Sequence, residues 1–278
     1  MSLLGDLQRA ADGAVRRLRG DYEEDEWGFD PGFAAAARPA LDLLYDRWWR
    51  VQATGLDHLP PAGRVLVVAN HAGVLPWDAT MMATAIRRHG AREGDPRFLV
   101  LDWAFTLPWA APAIRRGGGV PASPHNALRL LRQDHLVMVF PEGAKGVGKP
   151  YNQRYRLERF GRGGFVEVAL RARAPIVPCA VVGSEEIYPK IGELPGLARL
   201  LRAPYMPLTP TFPLLGPLGA IPLPSRWRIE FGAPIDLSEH DAGRADDRRF
   251  VLGVSEHVRA RIQEMVYDNV IRREGAFL

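Results

Sequence analysis

RVLVVAN, residues 64–70, sets the fold class. It is a short apolar run rich in valine, closed by HAGVLP at 71–76, the pattern of a strand buried on both faces. An alanine- and methionine-rich helical stretch follows at 79–89. Further along, the alternation returns with RFLVL (97–101), ALRLLRQ (127–133), LVMVF (136–140), GFVEVALRAR (164–173) and PIVPCAVVG (175–183). Alternating units of this kind predict an α/β fold, a mostly parallel central sheet flanked by helices. RWRIEFGAPIDL (226–237) reads as a closing strand and turn, and a charged amphipathic helix is predicted over 246–272.

On the N-terminal side, residues 3–19 place Leu4, Leu7, Ala11, Ala14, Val15 and Leu18 at helical spacing, with arginines largely elsewhere. Such a basic amphipathic helix suits a membrane surface and equally suits packing on the domain. A second helix is predicted near 31–50, and its aromatic end, Tyr45, Trp48 and Trp49, fits a core or a bilayer interface. The chain therefore divides into an N-terminal helical extension, 1–50, expected to associate with membrane, and one catalytic domain, 51–278. Residues 203–225 are the longest stretch without a charge, but seven prolines exclude a continuous spanning helix. That segment is expected to dock on lipid, to line an acyl site or to cover the core as an irregular lid.

Composition narrows the class. With 278 residues, 47% of them hydrophobic and 24% charged, the chain can bury a large core, and disorder, a fibre or a bundle of membrane helices is excluded. The single cysteine, Cys179, excludes an internal disulfide and a multi-cysteine zinc site, and fits a reducing compartment. Asp6 and Arg9 interrupt the apolar core a secretory signal needs, so none is expected. The net charge of +4 is uneven: residues 145–173 carry eight basic side chains against Glu158 and Glu167. Such a segment attracts phosphate, whether on a small substrate, a lipid headgroup or a nucleic acid. No base-reading motif accompanies it, which disfavours nucleic acid. The histidines show no metal-ligand spacing, so no metal is predicted.

In α/β sheets chemistry gathers at the carboxyl ends of strands. Three strand ends carry candidates: Asn70-His71 with Gly73 and Asp78; Phe140-Pro141-Glu142-Gly143-Ala144-Lys145 with Arg159 to Phe165 beyond it; and Ile176-Val177-Pro178. In this order the blocks resemble the phospholipid-synthesis acyltransferase family, which makes phosphatidic acid from lysophosphatidic acid, over about residues 51–235. The resemblance implies a glycerol-3-phosphate acyltransferase-like fold and a reaction without a cofactor. His71 would act as general base, Asp78 would stabilise its imidazolium, and the donor would be acyl-CoA or an acyl carrier protein thioester. It further implies that Glu142, Gly143, Lys145 and Arg162 shape the acceptor site, with Arg115 and Arg116 in the place of a phosphate-binding arginine segment.

The sequence departs from the family in two places. Six residues separate His71 from Asp78 where four are usual, and Lys145 stands where arginine is usual. Branches that acylate neutral lipids resemble this chain in having a longer interval with Leu-Pro before the aspartate. Diacylglycerol or a long-chain alcohol thus stands beside lysophosphatidic acid as acceptor, and Asp102 stands behind Asp78 as partner of the histidine. Other readings are a lipid-binding module without catalysis and, less well supported, a nucleotide-binding loop at GAKGVGK (143–149), where Pro150 takes the place of serine or threonine. No Gly-x-Ser-x-Gly elbow marks a hydrolase. The expected location is the cytoplasmic face of a membrane, as a peripheral protein.

Overall fold

The computed structural model describes residues 23–72, 75–90, 92–108, 110–143, 146, 148–200 and 206–277. Seven strands form one sheet: β1 (Gln52–Thr54), β2 (Val65–Ala69), β3 (Arg97–Val100), β4 (Gly119–Pro121), β5 (Leu136–Val139), β6 (Ile176–Val182) and β9 (Arg228–Phe231), in the order β1-β9-β6-β2-β5-β3-β4. From β6 to β4 neighbouring strands run parallel. The closing strand β9 returns antiparallel on β6 and carries β1 parallel on its far side. The sheet is thus mostly parallel, as expected from the sequence. A two-stranded ribbon, β7 (Gly192–Glu193) with β8 (Pro207–Leu208), stands apart from it.

The helices are α1 (Pro31–Leu43), which widens into a π-turn over Leu44–Trp48, α2 (Trp77–His89), α3 (Ala111–Arg116), α4 (Pro124–Arg132), α5 (Gly164–Ala172), α6 (Pro195–Leu200) and α7 (Arg248–Arg272). The last begins at 248 because the Asp247 side chain caps it, accepting from the N–H groups of Arg249 and Phe250 at 3.1 Å each.

Every residue of β2 is buried because both faces of the sheet are covered. Leu66 and Val68 join a core cluster with α4, α5 and α7, whereas Val65, Val67 and Ala69 join the opposite cluster with α2. This double burial is why the strand reads as an unbroken apolar run rather than an alternating one.

The N-terminal segment divides. Residues 3–19, read as a basic amphipathic helix, lie outside the described residues. Residues 23–50 belong to the body of the domain: Asp25 pairs with the buried Arg97 at 2.5 Å, and Trp49 is fully buried against Trp227 at 4.9 Å between ring centroids. Of the three aromatics that closed the predicted second helix, Tyr45 and Trp49 are core residues and Trp48 is partly exposed. No helix among the described residues is long and apolar enough to cross a membrane.

Candidate active site

The carboxyl ends of β2, β5 and β6, the three central neighbours, converge on one place. Asn70, at the end of β2, is 2% exposed and exchanges two hydrogen bonds of 2.8 Å with Val181 on β6, its amide mimicking a strand partner. This pins the point at which the chain leaves the sheet, and His71 comes next.

The His71 ring is held on two sides. Its Nδ1 lies 2.8 Å from Asp78 Oδ2, and the Phe140 ring packs on it at 4.6 Å between centroids. Asp78 is fully buried in the first turn of α2, where the helix dipole favours a carboxylate. Its Oδ2 also accepts the Ala72 N–H at 2.8 Å. A carboxylate accepts and does not donate, so pairing with Asp78 Oδ2 calls for the imidazole proton on Nδ1 and leaves the lone pair on Nε2. The longer loop is therefore compatible with pairing: α2 starts at Trp77 and turns Asp78 back over it. Asp102 is exposed on a separate turn, at 102–106, so the histidine's carboxylate partner is Asp78.

Below the histidine lies Glu142, whose side chain has no exposed surface. Its Oε1 accepts the His71 N–H at 3.0 Å and its Oε2 accepts the Glu158 N–H at 2.7 Å. Lys149 reaches the same Oε2 at 3.2 Å and Glu185 Oε1 at 2.9 Å. Burial pulls the Lys149 ammonium down, but Glu185 and Glu142 outweigh it and hold it above its ordinary value. Burial, reinforced by Glu142 and Asp78 against the opposing pull of Lys149, pushes the Glu185 carboxyl up to about 7.

His71 lines a cavity of about 710 Å³, ample for a lipid-sized ligand. Its walls come from Leu75 and Pro76, from Phe98 to Leu101 with Trp103 and Ala104, from Phe140, Pro141 and Gly143, from Phe160, Arg162 and Phe165, and from Val168 of α5. The proline-rich segment closes one side through Met206, Pro207, Thr209, Phe212, Gly219 and Ala220. Of the three roles read for that segment, the structure shows the lining of the cavity. Tyr188 ties it down, donating from its hydroxyl to the Ala220 carbonyl at 2.7 Å and receiving the Trp77 indole N–H at 3.3 Å.

The structure thus brings His71, Asp78, Gly143 and Arg162 to or against the cavity and sets Glu142 behind the histidine. Lys145 lies outside the described residues. Arg115 and Arg116 are elsewhere: the Arg115 stem packs on Gly28 and Arg116 faces Glu24 at 3.5 Å, while Ile114 of the same helix lines the cavity. Sequence reading passed over Asn70 as a clamp, Lys149 as an interior cation and Glu185. The strand-end rule would have flagged Glu185, which follows β6 by three residues. Among the described residues no group of three or more His, Cys, Asp or Glu side chains could hold a metal ion. Cys179 is buried in β6, and burial pushes its thiol well above the ordinary value, so it is a poor nucleophile.

A histidine oriented by a buried carboxylate on the wall of an apolar cavity, at the carboxyl ends of a parallel sheet, defines an α/β enzyme acting on an apolar substrate. Residues 50–182 match the family model described as Acyltransferase. An uncharacterized protein of Mycobacterium bovis is 47% identical over 276 residues, 99% of this chain and 77% of that protein. The 1-acyl-sn-glycerol-3-phosphate acyltransferase alpha of Ovis aries is 31% identical over 155 residues, 54% of this chain and 51% of that enzyme. The crystal structure of the 1-acyl-sn-glycerophosphate (LPA) acyltransferase PlsC from Thermotoga maritima shares the fold, with a TM-score of 0.53 at 15% identity over 95% of this chain and 98% of that one. The chain belongs to the acyltransferase family and is an O-acyltransferase.

Proposed function

We propose that the protein transfers a fatty acyl group from acyl-CoA or an acyl carrier protein to the free hydroxyl of lysophosphatidic acid, giving phosphatidic acid, with His71 as general base and no cofactor. The observation that carries this reading is the 2.8 Å contact of His71 Nδ1 with Asp78 Oδ2 on the wall of the apolar cavity. The relative from Ovis aries, a 1-acyl-sn-glycerol-3-phosphate acyltransferase by name, supports the choice of acceptor.

The steps follow from the tautomer. Nε2 takes the hydroxyl proton as the acceptor oxygen attacks the thioester carbonyl, and Asp78 stabilises the imidazolium that forms. The tetrahedral intermediate collapses with cleavage of the carbon–sulfur bond, and the imidazolium returns its proton to the leaving thiolate. The acyl chain occupies the apolar cavity, and Arg162 on its wall is the cation assigned to the acceptor phosphate.

We assign the protein to the cytoplasmic face of a membrane as a peripheral enzyme. Exposed Leu214, Leu215, Leu218 and Ile221 support this, because they belong to the same segment whose Met206, Phe212 and Ala220 line the cavity. Exposed apolar side chains on the segment that walls the cavity suit contact with a lipid surface.

One observation favours a neutral acceptor as a second reading. Lys149 is spent on interior carboxylates and the Arg115–Arg116 pair is off the cavity, so Arg162 is the one Arg or Lys side chain on the wall among the described residues. Thiol release from palmitoyl-CoA by wild type and His71→Ala, with lysophosphatidic acid or diacylglycerol in detergent micelles, tests both readings. Wild type should acylate lysophosphatidic acid and the folded variant should not. Turnover of diacylglycerol alone would select the neutral acceptor, and turnover surviving in His71→Ala would remove the histidine from the mechanism.

A further inference from the structure

GAKGVGK, 143–149, nearly matches a phosphate-cradling loop, yet the proposed reaction leaves most of it unused. Its terminal cation is turned inward. The Lys149 side chain is 6% exposed, and its ammonium meets Glu142 Oε2 at 3.2 Å, Glu185 Oε1 at 2.9 Å and the Arg156 carbonyl at 2.9 Å. The Arg156 carbonyl accepts a hydrogen bond from the ammonium and the two carboxylates are its ion-pair partners, so the cation is directed at protein oxygens rather than at a phosphate. A phosphate brought to this point would also face two carboxylates.

We propose that Lys149 is a positioning residue: by bridging Glu142 and Glu185 in the interior, it holds the carboxylate that fixes the His71 backbone. This rests on the reading of His71 as the base. The chain of contacts is continuous. Glu185, anchored just past the end of β6 and bonded through Oε2 to the Tyr155 N–H, holds Lys149; Lys149 holds Glu142; and Glu142 accepts the His71 N–H at 3.0 Å. The adjoining peptide is held from the other side, where Ala72 donates to Asp78. The base is thereby clamped between two buried carboxylates, one reaching its ring and the next N–H, the other its own N–H.

Gly146 of the loop has a matching explanation. A Cβ on Gly146 would sit 2.5 Å from Glu142 Cβ and 3.0 Å from its Cδ, so only glycine lets the chain fold closely over the glutamate and bring Lys149 down on it. Gly146 and Lys149 thus form a clasp over Glu142. Two carboxylates against one cation make the clasp dependent on the cation. Without Lys149, Glu142 is a buried charge with no counter-ion, which takes up a proton or moves, and either change weakens its hold on the His71 N–H.

The test compares wild type with Lys149→Met and with Lys149→Met/Glu185→Gln, which removes one buried charge of each sign and keeps a foldable balance if the single variant unfolds. Hydrogen–deuterium exchange over residues 66–76 reads the clamp directly, and palmitoyl-CoA with lysophosphatidic acid in micelles reads its consequence. Exchange at the His71 peptide should quicken in the variants while that of α5 stays as in wild type. The kcat should fall by about 10- to 100-fold, the scale of a misplaced catalytic group, with KM for lysophosphatidic acid within about twofold. Unchanged exchange at the His71 peptide overturns the proposal, as does a raised KM for lysophosphatidic acid at unchanged kcat, because Lys149 would then meet the substrate. If wild type releases no thiol, the acyl-transfer reading fails, and the exchange comparison alone still decides whether Lys149 holds the clamp.

Discussion

His71 Nδ1 and Asp78 Oδ2 stand 2.8 Å apart although six residues separate the two in the chain. The distance is set by where α2 begins: with Asp78 in its first turn and fully buried, the carboxylate faces back toward the end of β2. Replacing it by asparagine keeps the shape but offers an amide that can donate to Nδ1, which favours the wrong tautomer. Asp78→Asn should lower kcat for thioester turnover by about 10²- to 10⁴-fold with the fold intact. Steady-state thiol release beside a circular dichroism spectrum checks this, and retention of more than half the rate would detach Asp78 from the base.

Asn70 predicts a stability effect. Its amide satisfies both the N–H and the carbonyl of Val181 in the middle of the sheet. Asn70→Ala leaves two buried backbone groups unpaired, and a loss of about 2–4 kcal/mol is expected. Urea unfolding should show a lower midpoint at unchanged slope.

Glu185 makes stability depend on pH. Between its ordinary 4.5 and the folded value of about 7, the native protein keeps a proton that the unfolded chain has released, so this site lowers stability as pH rises through that window. Lys149 acts at the alkaline end, where its raised value gives stability that is full below its ordinary 10.5 and lost as pH passes the folded value. Glu185→Gln removes the first slope. The stability of wild type relative to this variant should fall by up to about 3 kcal/mol from pH 4 to pH 8, and equal slopes for the two proteins would place Glu185 in a solvated state.

The outer face of the proline-rich segment predicts a separation of binding from chemistry. Leu214 and Leu218 are 82% and 65% exposed, so charging them costs little in the folded protein. Leu214→Glu/Leu218→Glu should lose sedimentation with phospholipid vesicles and activity on vesicle-borne acceptor, while melting temperature and turnover of a short-chain soluble acceptor stay within about twofold of wild type. Undiminished vesicle binding would move the membrane contact elsewhere on the protein.

Much of the molecule was legible along the chain because the signals are local. The apolar runs at 64–70, 97–101, 136–140 and 175–183 each became a strand of the parallel portion, and in the first, third and fourth double burial leaves no polar face to interrupt them. His71 and Asp78 were readable because chemistry collects where such runs end, and the prolines of 203–225 excluded a spanning helix before any contact was known. The direction of a cation is a different kind of property. Lys149, Arg115, Arg116 and Arg162 look alike in sequence, yet one is locked between interior carboxylates, two pack at the foot of α3 and one lines the cavity. Periodicity and strand ends follow from neighbours a few residues away, whereas the fate of a charge depends on which distant oxygens the packed sheet brings within about 3 Å of it. Those oxygens belong to residues as far apart as Glu142, Arg156 and Glu185, and only folding makes them neighbours.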